Sequence, residues 1–211
     1  MTDRVRVGEV MRRDREEVVP NPSRHYVTIG VRSFGKGIFH YGSRPGDELG
    51  SLRFFRIQPN RLIISNIKGW EGAIAVTGRA DSSCLASNRF LQYAPAEGRL
   101  DVDWAGWYFL SEPGLRLIQR ASPGSADRNR TLSIERFEDL EIPLPPIEEQ
   151  RRVSSHLNRV RGLVRDLGSR STSAAAVAAF LSVFVLAYIV FVGPPIADEP
   201  DARSIAEAAD Q

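Results

Sequence analysis

Gly30-Val31-Arg32-Ser33-Phe34-Gly35-Lys36 has the spacing G-x-x-x-x-G-K, the pattern in which a glycine-rich loop wraps a nucleotide phosphate and a lysine neutralises it. The pattern fails at the next position. Gly37 stands where a Ser or Thr hydroxyl would hold Mg²⁺, and no helical pattern follows to aim backbone amides at a phosphate. Nucleophilic and metal chemistry are equally short of material. Cys84 is the sole cysteine and His25, His40 and His156 are scattered, so neither a disulfide framework nor a Cys/His zinc set can be assembled. A metal-dependent nuclease needs clustered carboxylates with a supporting lysine, and the two lysines, Lys36 and Lys68, both fall in turns. Glu71, near Lys68, reads as part of a hairpin turn. No catalytic residue and no metal site is expected.

Nucleic-acid recognition asks for different groups: cations to hold phosphates, and Arg, Asn, Gln or Ser side chains on loops to reach base edges. These are present. Arg32 and Lys36 share one predicted turn, Asn66, Lys68 and Trp70 share another, Arg89 follows Ser87-Asn88, and Arg128 and Arg130 lie in a polar loop. Taken singly, each is also what a solvated loop charge looks like. Trp70 could equally pack on its own hairpin, and Trp104 and Trp107 are expected in the core. Arginine outnumbers lysine by 26 to 2. The guanidinium fork suits guanine edges and phosphates, although a GC-rich genome produces the same bias. The net charge of +2 divides into +6 over residues 1–170 (27 basic, 21 acidic) and −4 over residues 171–211 (one basic, five acidic). Asn21-Pro22-Ser23-Arg24 is similar to the N-P-P-Y element of amino-methyltransferases, but Arg24 replaces the aromatic residue that stacks on a flipped base. No glycine-rich cofactor loop accompanies it, so methyl transfer is not expected of this chain.

The elements that position these residues are legible in part. With 211 residues, 42% of them apolar, the chain can bury one substantial core and carry appendages. Residues 5–17 have apolar positions at helical spacing and predict a short helix, ended by Pro20-Asn21-Pro22. Residues 25–31 and 38–41 read as strands around the Gly35-Lys36-Gly37 turn, and residues 54–57 as another. The run 62–67 reads as a buried strand, returning at 73–77 after a turn at 68–72, with a further strand near 89–93. Residues 103–111 and 113–121 predict two helices, with Asp103 and Ser111 as caps. Strands early and helices late indicate an α+β domain.

Leu144-Pro145-Pro146-Ile147-Glu148-Glu149-Gln150 predicts the start of a long helix at Pro146. The first proline is kept extended by the second, the second suits the first helical position, and two acids meet the positive end of the helix dipole. Beyond it Val153, Leu157, Val160, Val164 and Leu167 recur at spacings of four, three, four and three, the seam of a helix that packs on a partner helix.

Three sets of residues resemble one family. They are Tyr26, Ile29, Ser33, Gly35, Gly37 and Ile38; Asn60, Leu62, Ile64, Ser65, Gly72 and Val76; and, most specifically, Phe137, Leu140, Ile142, Pro143, Leu144, Pro145, Pro146, Glu149, Gln150 and Val153. Together they resemble the target recognition domain of specificity subunits in type I restriction-modification systems. The resemblance implies a single α+β recognition domain, with a mixed or antiparallel sheet and short helices, that binds double-stranded DNA and leads into a coiled-coil helix. It implies that the chain holds no cofactor. S-adenosylmethionine would belong to DNA methyltransferase subunits docked on the helix, and ATP to a motor-nuclease subunit. A full family member has two recognition domains, and a homodimer through the seam would restore the pair.

Residues 174–192 depart from that family: 19 almost unbroken apolar residues, long enough to cross a bilayer. Three readings stay open for them: a transmembrane helix, a helix buried among others, or an out-of-frame remnant. The expected division is a recognition domain at 1–144, a coiled-coil helix at 145–170, an apolar helix at 171–192 and an acidic tail at 193–211. A membrane anchor would leave the globular part in the cytoplasm, where the unanchored protein is also expected. Two other functions stay open with it: a membrane-tethered interaction protein reusing the domain, or a truncated, inactive specificity subunit.

Overall fold

The structure, a computed structural model, describes residues 3–124 and 130–170, with the side chains of residues 167–170 outside that description. The predicted helix over 5–17 is instead a strand β1 (Arg4–Arg6), a single helical turn α1 (Val7–Val10), a strand β2 (Met11–Arg13) and a short strand β3 (Glu17–Val18). Long-range pairing overrides the local pattern here: Val5 lies opposite Ile142, and Met11 opposite Pro95. The 25–31 segment divides into β4 (His25–Tyr26) and β5 (Ile29–Val31), and β5 pairs antiparallel with β6 (Ile38–His40) across the predicted turn. After β7 (Arg44–Pro45) and β8 (Phe54–Arg56), the expected hairpin is present as β9 (Leu62–Ser65) and β10 (Ile74–Val76). β11 (Leu85–Ser87) and β12 (Phe90–Pro95) follow.

The next elements are helical: α2 (Val102–Leu110), α3 (Glu112–Arg120) and α4 (Ile134–Glu138). A short strand β13 (Glu141–Pro143) and the long α5 (Ile147–Arg170) complete the described chain. The cap of α2 is Asp101 rather than Asp103, its carboxylate accepting the Trp104 N–H at 2.7 Å. Ser111 stands before α3, but its hydroxyl donates backwards to the Tyr108 carbonyl at 2.6 Å. Pro146 precedes α5 by one residue, and its carbonyl accepts the first helical bonds, from the N–H groups of Glu149 and Gln150.

β9 explains the architecture. Its run Leu-Ile-Ile-Ser is buried throughout, which a strand achieves only when both faces of its sheet are covered. In the antiparallel sheet β10-β9-β12-β2, Leu62 and Ile64 face α2, α3 and α4, while Ile63 faces Ile29, Ile57, Cys84 and Ala86 on the other side. The helical face holds most of the aromatic mass, with the Phe137 ring in contact with both Tyr93 and Phe109 and Trp104 stacked on Tyr108. Gly106 lets α2 press on β10, because a Cβ there would lie 2.9 Å from a Val76 methyl. β1 and β13 pair antiparallel, so the start of the chain clasps the segment that leads into Pro145 and Pro146. The α+β expectation therefore holds, with antiparallel pairing in every named sheet. Among the described residues no helix is long and apolar enough to cross a membrane, and the 174–192 run lies outside them.

Candidate nucleic-acid interface

Two loops that are distant in sequence are joined into one surface. Between β5 and β6 the chain reverses through Ser33-Phe34-Gly35-Lys36, and both central residues have positive φ, 60° at Phe34 and 62° at Gly35, as a type I′ hairpin turn requires. The hairpin leaves no helix terminus to cradle a phosphate, so the G-x-x-x-x-G-K spacing is structural. Its tip is fixed to the turn after β9: the Phe34 N–H donates to the Glu71 carbonyl and the Gly35 N–H to the Gly72 carbonyl, both at 2.9 Å. The Glu71 carboxylate takes a hydrogen bond from the Ser33 hydroxyl at 2.8 Å and one from the Lys68 ammonium at 2.6 Å. The Lys68 bond, seconded by that from Ser33, holds the Glu71 carboxyl below its ordinary range against a push upward from burial.

The other expected contacts gather around this junction. The Lys68 ammonium lies 5.3 Å, and the Arg130 guanidinium carbon 5.2 Å, from the Trp70 ring centroid. The Trp70 indole N–H donates to the Ile67 carbonyl at 3.1 Å, so Trp70 is half-buried in its own turn and stacked with cations at once. Asn66 is a crossing point: its N–H donates to the Arg89 carbonyl, and its carbonyl accepts from the Leu132 N–H. Its side-chain oxygen is buried without a hydrogen-bond partner among the described residues. Arg32 and Lys36 are exposed on the hairpin, Arg32 lying 4.5 Å from the Phe39 ring centroid. Arg89 is exposed beside Asn66 and pairs with no carboxylate among the described residues. Arg32, Lys36, Asn66, Lys68, Trp70, Arg89 and Arg130 thus belong to loops linked in series, and Arg128 lies outside the described residues.

The helix that follows is bolted to this domain by a residue whose role sequence reasoning missed. Gln150 is wholly buried, its oxygen accepts the Asp101 N–H at 2.8 Å, and its amide donates to the carbonyls of Arg99 at 3.0 Å and Pro145 at 2.8 Å. The predicted seam meets its partner within the chain. Leu157 is wholly buried against Trp107 of α2, with Val153, Val160 and Val164 packed around the pair, while the Leu167 side chain lies outside the described residues. The Trp107 indole N–H donates to Asn158 Oδ1 at 3.0 Å, and the Arg161 guanidinium donates to the same oxygen while lying 4.8 Å from the ring centroid. Asp103, in the same cluster, is raised from its ordinary pKa by burial and by Asp101, with Asn158 and Arg161 opposing.

No group of three or more His, Cys, Asp or Glu residues is placed to hold a metal ion among the described residues, and the Cys84 thiol is buried. Asn21 makes a local turn, its side-chain oxygen accepting the Ser23 N–H at 2.9 Å while its own N–H donates to the Tyr26 hydroxyl at 3.0 Å.

No family model matches the sequence, and no curated protein matches it. Solved structures do. The chain is similar to the HsdS subunit from Thermoanaerobacter tengcongensis at 22% identity and a TM-score of 0.66, over 94% of this chain and 51% of that one. A structure concerned with complex assembly and conformational transition of the type I restriction-modification system matches at 21% identity and a TM-score of 0.66, with the same shares covered. The type I S subunit from M. genitalium matches at 14% identity and a TM-score of 0.52, over 80% of this chain and 41% of that one. The chain therefore has the fold of type I specificity subunits, and spans about half the length of the first two.

Proposed function

We propose that this chain is a DNA sequence-recognition unit of a type I restriction-modification system, choosing the site at which partner subunits act and performing no chemistry itself. The observation that carries the reading is the conjunction of a specificity-subunit fold with a surface of cations and a tryptophan on linked loops. Arg32, Lys36, Lys68, Arg89, Arg128 and Arg130 supply phosphate contacts and a salt-dependent background affinity. Guanidinium and amide groups among them, with Asn66, read base edges.

The helix α5 is the docking element for DNA methyltransferase subunits, which bring S-adenosylmethionine and modify adenine at the selected site. An ATP-driven motor-nuclease subunit would act on unmodified sites. α2 already covers Leu157, with Val153, Val160 and Val164 packed around the contact, so partners meet the outward face of α5 at Leu163, which is 59% exposed. A second copy paired along that face would set two recognition units against a symmetric target.

Co-expression of the full chain with an adenine methyltransferase subunit from the same genome, followed by genome-wide methylation mapping, tests the reading. The expected result is co-purification and methylation at one defined motif, altered or lost in Lys36→Ala and Arg130→Ala. Methylation that is the same with and without this chain would overturn it.

A further inference from the structure

We propose that Phe34 is an apolar wedge, inserted by the hairpin tip into a base step of bound duplex; the inference rests on the DNA-recognition reading above. A single exposed apolar side chain is ordinary and proves nothing. Phe34 differs in three respects.

The residue is 61% exposed at the extreme of a hairpin, while its backbone sits at φ 60°, a region that bulky residues rarely occupy. Asn-Gly is the usual occupant of such a turn, and Phe-Gly holds the large ring outward at the expense of local stability.

The tip is also rigid. Bonds from Phe34 N–H and Gly35 N–H to the facing turn, and from Ser33 to Glu71, fix its position. Gly35 lies close on α2, where a Cβ would come within 3.0 Å of a Leu110 methyl. The backbone that carries the ring is therefore fixed against the facing turn.

Charge favours a polyanion around it. The Lys36 ammonium lies 5.8 Å from the ring centroid, Arg32 is exposed on the same hairpin with its guanidinium over Phe39, and the nearby Glu71 is already bonded to Lys68 and Ser33. Ile67, 41% exposed, adds a second apolar side chain in the facing turn. Apolar side chains set among Arg and Lys are the means by which proteins part stacked bases and kink a duplex.

The test uses the full chain and duplexes enriched by it from a randomised library. Phe34→Gly removes the ring and relieves the left-handed strain, so it should unfold at the same or a higher temperature than the wild type. Its affinity for the enriched duplexes should fall at least about tenfold. The slope of affinity against salt should stay unchanged, because no phosphate contact is lost. Thymines made permanganate-reactive by the wild type should be protected with Phe34→Gly, and Phe34→Trp should restore reactivity. Unchanged affinity and an unchanged permanganate pattern in Phe34→Gly would overturn the wedge while leaving DNA recognition standing. So would a defect confined to capture of a protein subunit. A wild-type chain that enriches no duplex at all would instead remove the reading on which the wedge rests.

Discussion

The side-chain oxygen of Gln150 accepts the backbone N–H of Asp101 at 2.8 Å, tying the first turn of α5 to the first residue before α2. The same amide donates to two further carbonyls, those of Arg99 and Pro145, so one side chain ties the start of the long helix to the domain at three points. Gln150→Ala leaves those groups without partners and should lower stability by about 2–3 kcal/mol, read by urea denaturation. A change below about 0.5 kcal/mol would mean that the junction is held elsewhere.

Leu157 and Trp107 form the apolar centre of the α2–α5 contact. Leu157→Ala should cost about 2–5 kcal/mol, whereas truncating Leu163, exposed on the same helix, should be nearly neutral. Equal losses at the two positions would place the helix differently on the domain.

Glu71 ties the two loops of the candidate interface, and its carboxyl is held below the ordinary value of 4.5 chiefly by Lys68. A depressed folded-state pKa adds stability that is present above the unfolded value and disappears as pH falls through the folded one. Trp70 fluorescence should therefore change on acidification below about pH 4.5, reporting separation of the loops. In Glu71→Gln this acid transition should be absent; a transition of equal size in that variant would show that another group drives it.

The phosphate-contact assignment is separable from base reading. Lys36→Ala and Arg89→Ala should each reduce the slope of log affinity against log salt by about one, uniformly across duplex sequences. Arg4→Ala, at the β1–β13 clasp and paired with Glu141, serves as the control and should leave the slope unchanged. If Arg4→Ala alters it as much as the loop variants do, the interface lies on another face.

Local signals were legible wherever the physics is local. The β5–β6 and β9–β10 hairpins, the two helices around Glu112-Pro113-Gly114 and the start of α5 within one residue all follow from turn glycines, apolar runs and prolines. Residues 5–17 depart from their helical pattern because their fate is set by partners over 80 residues away, β12 for Met11 and β13 for Val5. The spacing on α5 marks an apolar stripe, but no spacing rule says whether that stripe packs on another chain or, as at Leu157, on Trp107 of its own. Gln150 stood inside the most specific motif, yet its three bonds reach backbone groups that only the fold brings together. Phe34 carried one signal that could have been used: a large aromatic residue at a turn position where Asn is customary.

The central claim is that these linked loops bind duplex DNA with sequence preference. Fluorescence anisotropy of the full chain with duplexes selected from a randomised library, against scrambled duplexes of equal length, tests it most directly across a range of salt concentrations. The account predicts retention of both at low salt, survival of the selected duplex alone as salt rises, and loss of that preference in Lys36→Ala combined with Arg130→Ala. Equal affinity for selected and scrambled duplexes at every salt concentration, or no retention at low salt, would contradict it.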